Sequence, residues 1–480
     1  MTNITQTEVA QEKIRPVPIT IALIIGAFIG LFSETALNMA LTNIMAEFQI
    51  LPHVAQWLTT GYLLVLGILV PVTGFLLQWF TTRQLFIASL CFSIIGAIIG
   101  GLAPSFEILM ISRIVQAMGT AILLPLMTNV ILLIFPPSKR GTVMGTMGLV
   151  IMVAPAVGPT LSGLLVDSWG WQSIFWIFTP VLILSLIFGM IFIQNVSTIT
   201  KPKIDILSIL LSSIGFGGVV YGFSSAGKGT GSWLDPIVFI PILIGLIALL
   251  IFSIRQLKLD QPMLDLKVFK FPMFSLGVIM VFLGMMIILS SAILLPLYLK
   301  GGLLLTALAA GFVLLPGGII NGLMSPITGR LFDKFGPRFL IIPGFALTTT
   351  FTFLFTNVTT ETSQIAIIIM HTILFIGVAM VMMPSQTNGL NQLPKSNYPD
   401  GSAIMNTLSQ IAGAIGTAIA IGFLSAGQAS YLDAATHPND PLVIAEALTA
   451  GTQNAFFFAF IASIIGLIVS LFVKRVKVSH

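Results

Sequence analysis

Charged residues are scarce in this chain. They make up 8% of its 480 residues, whereas hydrophobic residues make up 56%. The mean hydropathy is +1.05. A soluble globular protein carries roughly 25% charged residues, so this composition cannot cover a water-facing surface. We therefore expect an integral membrane protein that is surrounded by the lipid bilayer.

Cysteine is scarcer still. Cys91 is the only one, so no disulfide can form within the chain, and the cysteine content does not indicate a redox compartment. The net charge of +5 would suit a nucleic-acid ligand, but in a membrane protein it indicates basic cytoplasmic loops, and we expect no nucleic-acid partner. We expect no cleavable signal peptide either, because the first apolar run is too long and lacks a small-residue cleavage site.

Motifs of catalysis are also missing. Neither HExxH nor GxSxG occurs, so no metal site and no enzymatic activity are expected. The stretch GFSSAGKG at 222–229 resembles a phosphate-binding loop, but it lacks Ser or Thr after Lys228 and follows no predicted strand. We therefore expect no bound cofactor.

Long apolar runs, in contrast, fill the chain. A helix needs about 20 apolar residues to cross a bilayer. Fourteen runs meet this need, which predicts an all-α polytopic fold. The predicted spans are 17–43, 54–78, 84–104, 107–135, 141–167, 171–194, 206–226, 235–255, 272–299, 304–330, 338–356, 363–390, 402–427 and 453–473.

The distribution of Lys and Arg predicts the orientation. With the N-terminus in the cytoplasm, the outside receives only Lys228 and Lys300, and Arg113 alone falls within a span. Such an asymmetry follows the positive-inside rule and places both termini in the cytoplasm. We expect the chain to lie in the plasma membrane. The inside receives Lys13, Arg15, Arg83, Lys139, Arg140, Lys201, Lys203, Arg255, Lys258, Lys267, Lys270, Arg330, Lys334, Arg338, Lys395, Lys474, Arg475 and Lys477.

An internal repeat predicts two halves. The loop after the second span contains Gly74 and Arg83 at the same spacing as Gly329 and Arg338 after the tenth span. Repeats of this kind are typical of transporters. The predicted division is a first six-helix bundle at 1–200, a two-helix insert at 201–262 and a second six-helix bundle at 263–480.

Several stretches resemble motifs of the major facilitator superfamily. The loop GRLFDKFGPR fits its GxLaDrxGxrr motif, ISRIVQAMG resembles its fourth-span motif, and APAVGPTLSG resembles the fifth-span motif of its antiporters. TALNMAL resembles the first-span signature of the fourteen-spanner drug/proton antiporters, and the nearest subgroup is the lincomycin-resistance-type exporters. The residues of these conformational motifs are Gly74, Arg83, Pro155, Gly158, Pro159, Gly163, Gly329, Arg330, Asp333, Gly336 and Arg338.

This resemblance implies a function. It implies a proton-coupled antiporter that exports amphipathic drugs or antibiotics by alternating access, is driven by the proton gradient and works as a monomer. Two departures from the family pattern matter. Ser33 stands where the first-span signature has its acid, and Glu34 follows one residue, or about 100° of helix, later. Gln78 stands where the first-half loop motif has Asp.

Three residues are candidates for proton coupling. Glu34 lies in an apolar run, and acids within a membrane span are functional by default. Burial and a nearby cation pull the pKa of a carboxyl in opposite directions, which suits a group that must gain and lose a proton. Arg113 is the expected partner, because helix rise places both in the outer half of the membrane. His371 is the third candidate, since imidazole titrates near neutral pH.

Each candidate also has a purely structural interpretation. Glu34 could be a neutral, hydrogen-bonded carboxyl, Arg113 could join helices through backbone carbonyls, and His371 could simply be a hydrogen-bonded span residue. Pro155 and Pro159 are expected to bend the fifth span, with or without a role in gating.

Other polar span residues are candidates for substrate binding, because polar groups that face lipid stay unsatisfied. Some are expected to line a central cavity and others to join helices. The candidates are Asn38, Tyr62, Gln116, Asn129, Tyr298, Asn321, Gln386 and Asn388. Two alternatives to drug export remain: export of an endogenous metabolite, lipid or signalling molecule on the same fold, and a membrane receptor that transports nothing.

Overall fold

The structure, a computed structural model, describes residues 16–50, 52–55, 57–197, 199–201, 205–225, 235–260, 262–438 and 440–476. Inside these ranges, the description leaves out the side chains at positions 34, 35, 38, 39, 42, 52, 53, 152, 155–157, 159, 160, 163, 164, 167, 224, 307 and 308.

The described residues form long helices joined by short connections, and the all-helical fold class is confirmed. The long helices are α1 (Pro16–Ala36), α2 (Trp57–Trp79), α3 (Thr82–Gly101), α4 (Phe106–Ile134), α5 (Pro137–Trp169), α6 (Ser173–Phe192), α7 (Ile206–Ser225), α8 (Pro236–Lys258), α9 (Pro272–Leu297), α10 (Ala307–Phe335), α11 (Arg338–Phe355), α12 (Gln364–Asn391), α13 (Tyr398–Ala434) and α14 (Pro441–Ser470).

These helices agree with the predicted spans in number and order. Of the described helices, 13 are long and apolar enough to cross a membrane. The remaining one, α5, has 33 residues, more than a span requires. Short helices extend the set at Leu37–Ala40, Leu41–Phe48, Pro52–Ala55, Leu266–Lys270, Tyr298–Gly302 and Lys395–Asn397.

Local sequence explains where several helices begin. Thr81 and Gln84 form a capping box at the start of α3, in which each side chain accepts a hydrogen bond from the backbone N–H of the other. Asp235 and Asp440 cap α8 and α14 through their carboxylates, and a proline follows each at the first helical position.

Several predicted boundaries differ from the structure, among them the end of the first span and the start of the last. The first predicted span reached position 43, but α1 ends at Ala36 and continues as a short 3₁₀ helix and a separate helix to Phe48. The last predicted span began at 453, whereas α14 begins at Pro441. The Asp440 cap starts that helix well before its sequence becomes continuously apolar.

Basic residues mark one end of the bundle. Arg83, Arg140, Arg338 and Lys395 all lie where helices of even number end and the next begin. We call this end the basic end and the other the opposite end, where Lys300 lies. The helix order thus places the described basic loops together, as the charge pattern predicted.

Equivalent contacts recur in the two halves. Arg83 donates from Nη2 to the Met190 carbonyl oxygen near the end of α6 at 2.7 Å, and Arg338 donates from Nη2 to the Leu471 carbonyl oxygen just after α14 at 3.2 Å. Each arginine of the repeat therefore holds the last helix of its own half. The domain boundaries themselves stay a prediction.

Small residues let helices of different halves approach closely. α5 packs along α10 and α2 packs along α13. Gly329 lies against the backbone of Gly141, Gly145 lies against that of Ser325, and a Cβ on Gly74 would lie 2.9 Å from the Cβ of Ala403. In membranes such small-residue seams bring backbones together, so the halves meet closely at the basic end.

The insert helices lie beside this seam. α7 packs against α8, α2 and α13, and α8 packs mainly against α7. Gly218 of α7 lies against Gly245 of α8, and the Trp57 and Tyr221 rings stack with centroids 5.7 Å apart. Large apolar side chains of α8, such as Leu250, stay exposed, as suits a helix that faces lipid.

An ion pair closes the insert at the basic end. Arg255 donates from Nε and Nη2 to the two carboxylate oxygens of Asp205 at 2.8 and 3.0 Å, and Ser208 donates to the same carboxylate. The Arg255 hydrogen bonds lower the pKa of Asp205 to about 2. A lowered pKa means that the pair adds stability above the usual carboxyl range and loses it only as pH falls toward 2.

The first prediction concerns orientation. We expect cysteines that replace Lys139 or Lys267 to be shielded from membrane-impermeant thiol reagents in intact cells, in a background with Cys91→Ser. A cysteine that replaces His437, in the connection at the opposite end, should react. Labelling of position 267 from outside the cell would contradict the predicted orientation.

The second prediction concerns the insert. Asp205→Asn should lower the free energy of unfolding by about 1 kcal/mol or less, because Arg255 is partly exposed. The unfolding temperature should therefore fall only slightly. The decrease should be equal at about pH 5.5 and about pH 8.5, since the pair stays ionised at both. A decrease that appears at only one pH, measured by thermal unfolding in detergent, would contradict this assignment.

Candidate functional site

Arg113 is a buried cation at the centre of the first half, with 1% of its side chain exposed. Its Nη1 donates to the carbonyl oxygen of Ser33 at 2.9 Å and to Oε1 of Gln116 at 3.0 Å. Its Nε donates to the carbonyl oxygen of Leu58 at 3.3 Å. These acceptors replace the water that a guanidinium loses on burial, and they tie α4 to α1 and α2.

Tyr62 completes this network, which we call the Arg113 hub. The guanidinium carbon of Arg113 lies 4.3 Å from the centre of the Tyr62 ring, a cation–π contact. The Tyr62 hydroxyl donates to the Gly30 carbonyl oxygen at 3.1 Å and lies 2.7 Å from the Thr120 hydroxyl. An adjoining cavity of about 20 Å³ is lined in part by Ser33, Tyr62 and Thr120, which is room for about one water molecule.

Glu34 follows Ser33 in α1. Its backbone therefore adjoins the carbonyl group that Arg113 binds. The side chain of Glu34, like that of Asn38, lies outside the described residues. The pairing of Glu34 with Arg113 stays a prediction.

His371 lies in the second half, whereas Arg113 lies in the first. It is 5% exposed, and a Cβ on Gly317 of α10 would overlap its ring. The Phe375 ring lies 4.5 Å away, centroid to centroid, and the Nδ1 atom of His371 makes no hydrogen bond within the described structure. The ring is therefore held by packing on α10, and one of its nitrogens keeps its hydrogen-bonding capacity.

Two predicted substrate contacts have unused polar groups. Asn129 of α4 is 1% exposed, and neither its amide oxygen nor its amide nitrogen has a partner among the described residues. The amide oxygen of Asn321 of α10 is unpaired in the same sense. An unpaired buried amide costs about 1–3 kcal/mol, so each gains from a polar group that reaches it.

Other predicted substrate contacts bond elsewhere in the protein. Tyr298 is fully buried at the opposite end of α9, where its hydroxyl donates to the Thr359 carbonyl oxygen at 2.6 Å. Gln386 and Asn388 are buried near the basic end of α12. Asn388 donates from Nδ2 to the Lys474 carbonyl oxygen at 3.0 Å. Helical periodicity could not reveal these contacts, because each partner lies in a remote loop or terminal segment.

Asp333 joins the two halves at the basic end. Its carboxylate accepts hydrogen bonds from the Gly141 N–H at 2.9 Å, the Thr142 N–H at 2.8 Å and the Thr142 hydroxyl at 2.7 Å. These donors are the fifth and sixth residues of α5, close to the helix N-terminus, where the helix dipole favours an anion. We call this contact the latch, since it attaches α10 to a helix of the other half.

Arg140 bonds beside the latch. It donates from Nη1 to Oδ1 of Asn391 on α12 at 2.8 Å, which is a second link between the halves. It also donates to the carbonyl oxygens of Leu132 and Phe135 at the end of α4. The end of α4 and the start of α5 are thus held together next to Asp333.

The contact that corresponds to the latch in the other repeat pairs an amide with an acid. Gln78 holds the repeat position of Asp333, and it donates from Nε2 to Oδ1 of Asp400 at a long 3.5 Å. Asp400 lies in the first turn of α13 and is 5% exposed. The backbone N–H and the carboxylate of Asp265 also face it. In this contact the acid therefore belongs to α13 and the amide to the loop motif, whereas in the latch the loop motif itself supplies the acid, Asp333.

Sequence reasoning missed Asp400, because the thirteenth span was predicted to begin at 402. A signal was present. Asp400 and Gly401 lie near the start of α13, as Arg140 and Gly141 lie near the start of α5. Aligning these two helix starts would have placed an acid opposite Gln78.

The remaining motif residues have varied surroundings. Gly336 has a φ of +84°, a conformation that favours glycine, and Arg330 is exposed. The Gly158 carbonyl oxygen accepts a hydrogen bond from the Ser162 hydroxyl at 2.7 Å. The side-chain surroundings of the other fifth-span residues, Pro155, Pro159 and Gly163, lie outside the described part of the chain.

At the opposite end of the first half, the connection between α5 and α6 contacts the segment that follows α1. Trp171, between α5 and α6, is 2% exposed and donates from Nε1 to Oε2 of Glu47 at 2.6 Å. The Phe48 ring packs edge-on against the same indole, with centroids 5.9 Å apart. The segment that follows α1 is therefore anchored to its own half.

Comparison with known proteins identifies relatives along nearly the whole chain. The profile of the Major Facilitator Superfamily matches residues 23–417. The chain is 62% identical to the Lincomycin resistance protein LmrB of Bacillus subtilis (strain 168), with 99% of each chain covered. It is 58% identical to the protein of the same name from Listeria monocytogenes, over 97% of this chain and 98% of that one.

A solved structure supports the fold. The proton:xylose symporter XylE superposes with a TM-score of 0.66 at 14% identity, over 96% of each chain. The major facilitator fold predicted from the sequence is thereby confirmed. At this identity the likeness concerns the fold alone.

The third prediction tests the contact between Gln78 and Asp400. Gln78→Asp restores the residue of the family motif, yet here it would face Asp400 and Asp265. We expect like-charge repulsion of about 1–3 kcal/mol to favour opening of the basic end. The measurement is the rate at which a thiol reagent modifies Ser325→Cys in purified protein with Cys91→Ser. Ser325 is 2% exposed where α10 meets α5, so its modification reports opening.

The double variant Gln78→Asp with Asp400→Asn is the matched control. It restores an acid–amide pair with the two groups exchanged, and the modification rate should return toward that of the wild type. Unchanged labelling in Gln78→Asp, or no recovery in the double variant, would show that the two side chains do not interact across the interface.

Proposed function

We propose that this chain, which belongs to the major facilitator superfamily of membrane transporters, exports small amphipathic drugs from the cytoplasm in exchange for protons. Lincosamide antibiotics are the first substrates to test, since two relatives at 62% and 58% identity are named for lincomycin resistance. The proton gradient would supply the energy without a bound cofactor, and the monomer would be the functional unit.

The Arg113 hub is the observation that carries this proposal. A buried guanidinium is held against α1 at Ser33, the residue before Glu34. Glu34 is the acid that the sequence places deepest in the membrane. A carboxylate that can pair with a fixed cation, or take up a proton and lose that attraction, is suited to exchange one charge for another.

The exchange follows from competition at one charge. Protonation of Glu34 from the external side would remove its attraction for Arg113 and for a cationic drug. Loss of the proton toward the cytoplasm would restore that attraction. Proton and drug then oppose each other by linkage, which is antiport. Asn129 and Asn321 would supply polar contacts to the drug, one from each half, because their amide groups have unused hydrogen-bonding capacity.

The closed basic end fits one step of alternating access. In the proposed orientation both termini and the basic end are cytoplasmic, so the latch blocks the cytoplasmic route. In this state Glu34 would exchange protons with the external medium. Opening requires the Asp333 carboxylate to leave Gly141 and Thr142 of α5, and water at the membrane surface can replace those hydrogen bonds.

The fourth prediction is that Glu34→Gln abolishes drug export against a gradient, because glutamine keeps the size but cannot exchange a proton. Glu34→Asp should keep part of the activity. The measurement is drug flux in proteoliposomes under an imposed pH gradient, together with drug susceptibility of an efflux-deficient host. Binding of neutral drugs should survive in Glu34→Gln.

Glu47→Gln is the matched control. It removes an acid from the segment that follows α1, but the new amide oxygen can still accept the Trp171 hydrogen bond, so most of the export should remain. Export by Glu34→Gln at the wild-type rate would refute the proton-carrier assignment, and His371 would then be the group to test. Export that persists without a pH gradient in the wild type would refute proton coupling itself.

A further inference from the structure

The last described residues of the chain fold back onto the second half. After α14 the chain turns, and residues 473–476 run along the basic end. We call these residues the strap. Val473 is fully buried in an apolar cluster with Met280, Ile341 and Phe345. The strap is therefore attached by a buried apolar side chain and is not a loose terminus.

Asn388 holds the backbone of the strap. Its Nδ2 donates to the Lys474 carbonyl oxygen at 3.0 Å, and its Oδ1 accepts from the Val476 N–H at 3.3 Å. The side chain of Asn388 is 2% exposed, so both of its polar groups depend on these partners. A buried amide thus pairs with the strap as a neighbouring strand would, through one donor and one acceptor.

Arg475 links the strap to the latch residue. Its Nη2 donates to the backbone carbonyl oxygen of Asp333 at 2.9 Å. Its side chain crosses Gly336, where a Cβ would lie 3.0 Å from Cδ of Arg475. Glycine at this position therefore both adopts the positive φ and leaves room for the arginine.

Asp333 is the point at which these contacts meet the other half. The strap holds its backbone carbonyl group, while its carboxylate accepts hydrogen bonds from Gly141 and Thr142 near the start of α5. From this geometry we infer that Arg475 and Asn388 are positioning residues, which set how readily the latch opens by fixing the backbone that carries Asp333. The inference rests on the alternating access proposed above.

The test uses the Ser325→Cys reporter in full-length protein with Cys91→Ser. Arg475→Ala should raise its rate of modification about 3- to 10-fold, the change in an equilibrium that one hydrogen bond produces. Arg475→Lys, which keeps a donor on a long stem, should recover part of the difference. Asn388→Leu, which removes both strap hydrogen bonds, should act in the same direction as Arg475→Ala.

Lys474→Ala is the matched control. It removes one positive charge from the same segment, but the described contacts of Lys474 use only its backbone. Its modification rate should equal that of the wild type. A second reporter, Ser463→Cys, is fully buried within the second half, beside Thr352. It should stay unmodified in every variant, and faster reaction there would reveal unfolding instead of opening.

A double-variant cycle shows whether Arg475 acts through Asp333. Asp333→Asn alone should raise modification of the Ser325→Cys reporter. Adding Arg475→Ala to Asp333→Asn should raise it no further, because the contact that the strap positions is already weakened. Independent, additive effects would overturn the inference, as would equal rates for Arg475→Ala and Lys474→Ala.

The readout separates this inference from the proposed function. Cysteine modification needs neither a drug nor a proton gradient, so the strap can be tested even if export of drugs is disproved. Transport then gives a further comparison. If the strap sets only the opening of the basic end, Arg475→Ala should change the maximal export rate and leave unaltered the pH dependence that Glu34 would confer.

Discussion

A charge inside a bilayer is stable only where protein groups replace the water it has lost, and Arg113 is where this chain satisfies that constraint within its first half. Its acceptors come from α1, α2 and α4. The need to satisfy one guanidinium therefore fixes three helices relative to each other. It also fixes the backbone beside Glu34, so the placement of the proposed proton carrier follows from the burial of the cation.

The contacts between the halves are of another kind. In the described ranges, the ion pair is Asp205 with Arg255, inside the insert. Across the interface, Asp333 binds backbone N–H groups and Arg140 binds an amide oxygen. Water near the membrane surface can replace such partners without leaving an opposite charge alone. An interface of this chemistry can open and close, whereas the Arg113 hub, deep in one half, is suited to stay assembled.

The sequence predicted most of the fold and less of the site. The apolar runs predicted the number and order of the helices, and the basic loops predicted which connections lie at the same end of the bundle. Both patterns are imposed by the bilayer. The repeat predicted that Arg83 and Arg338 occupy equivalent positions in the two halves. The partners of Asn388 and Asp400 could not be predicted in the same way, because hydropathy gives a residue's depth, whereas its partners depend on helix rotation and on where loops and termini return.

One helix connects the hub to the interface. Arg113 lies on α4, and roughly 28 Å further along the same helix the carbonyl oxygen of Leu132 binds Arg140. Arg140 directly precedes Gly141, whose N–H binds the Asp333 latch. If the Arg113 hub shifts as a unit when Glu34 takes up a proton, α4 is the element that would carry the shift to the latch. Coupling of this kind requires two arrangements of α4 that both ends favour differently. Through the Arg140 contacts with α4, the free energy of proton binding at Glu34 would therefore be coupled to that of opening the latch.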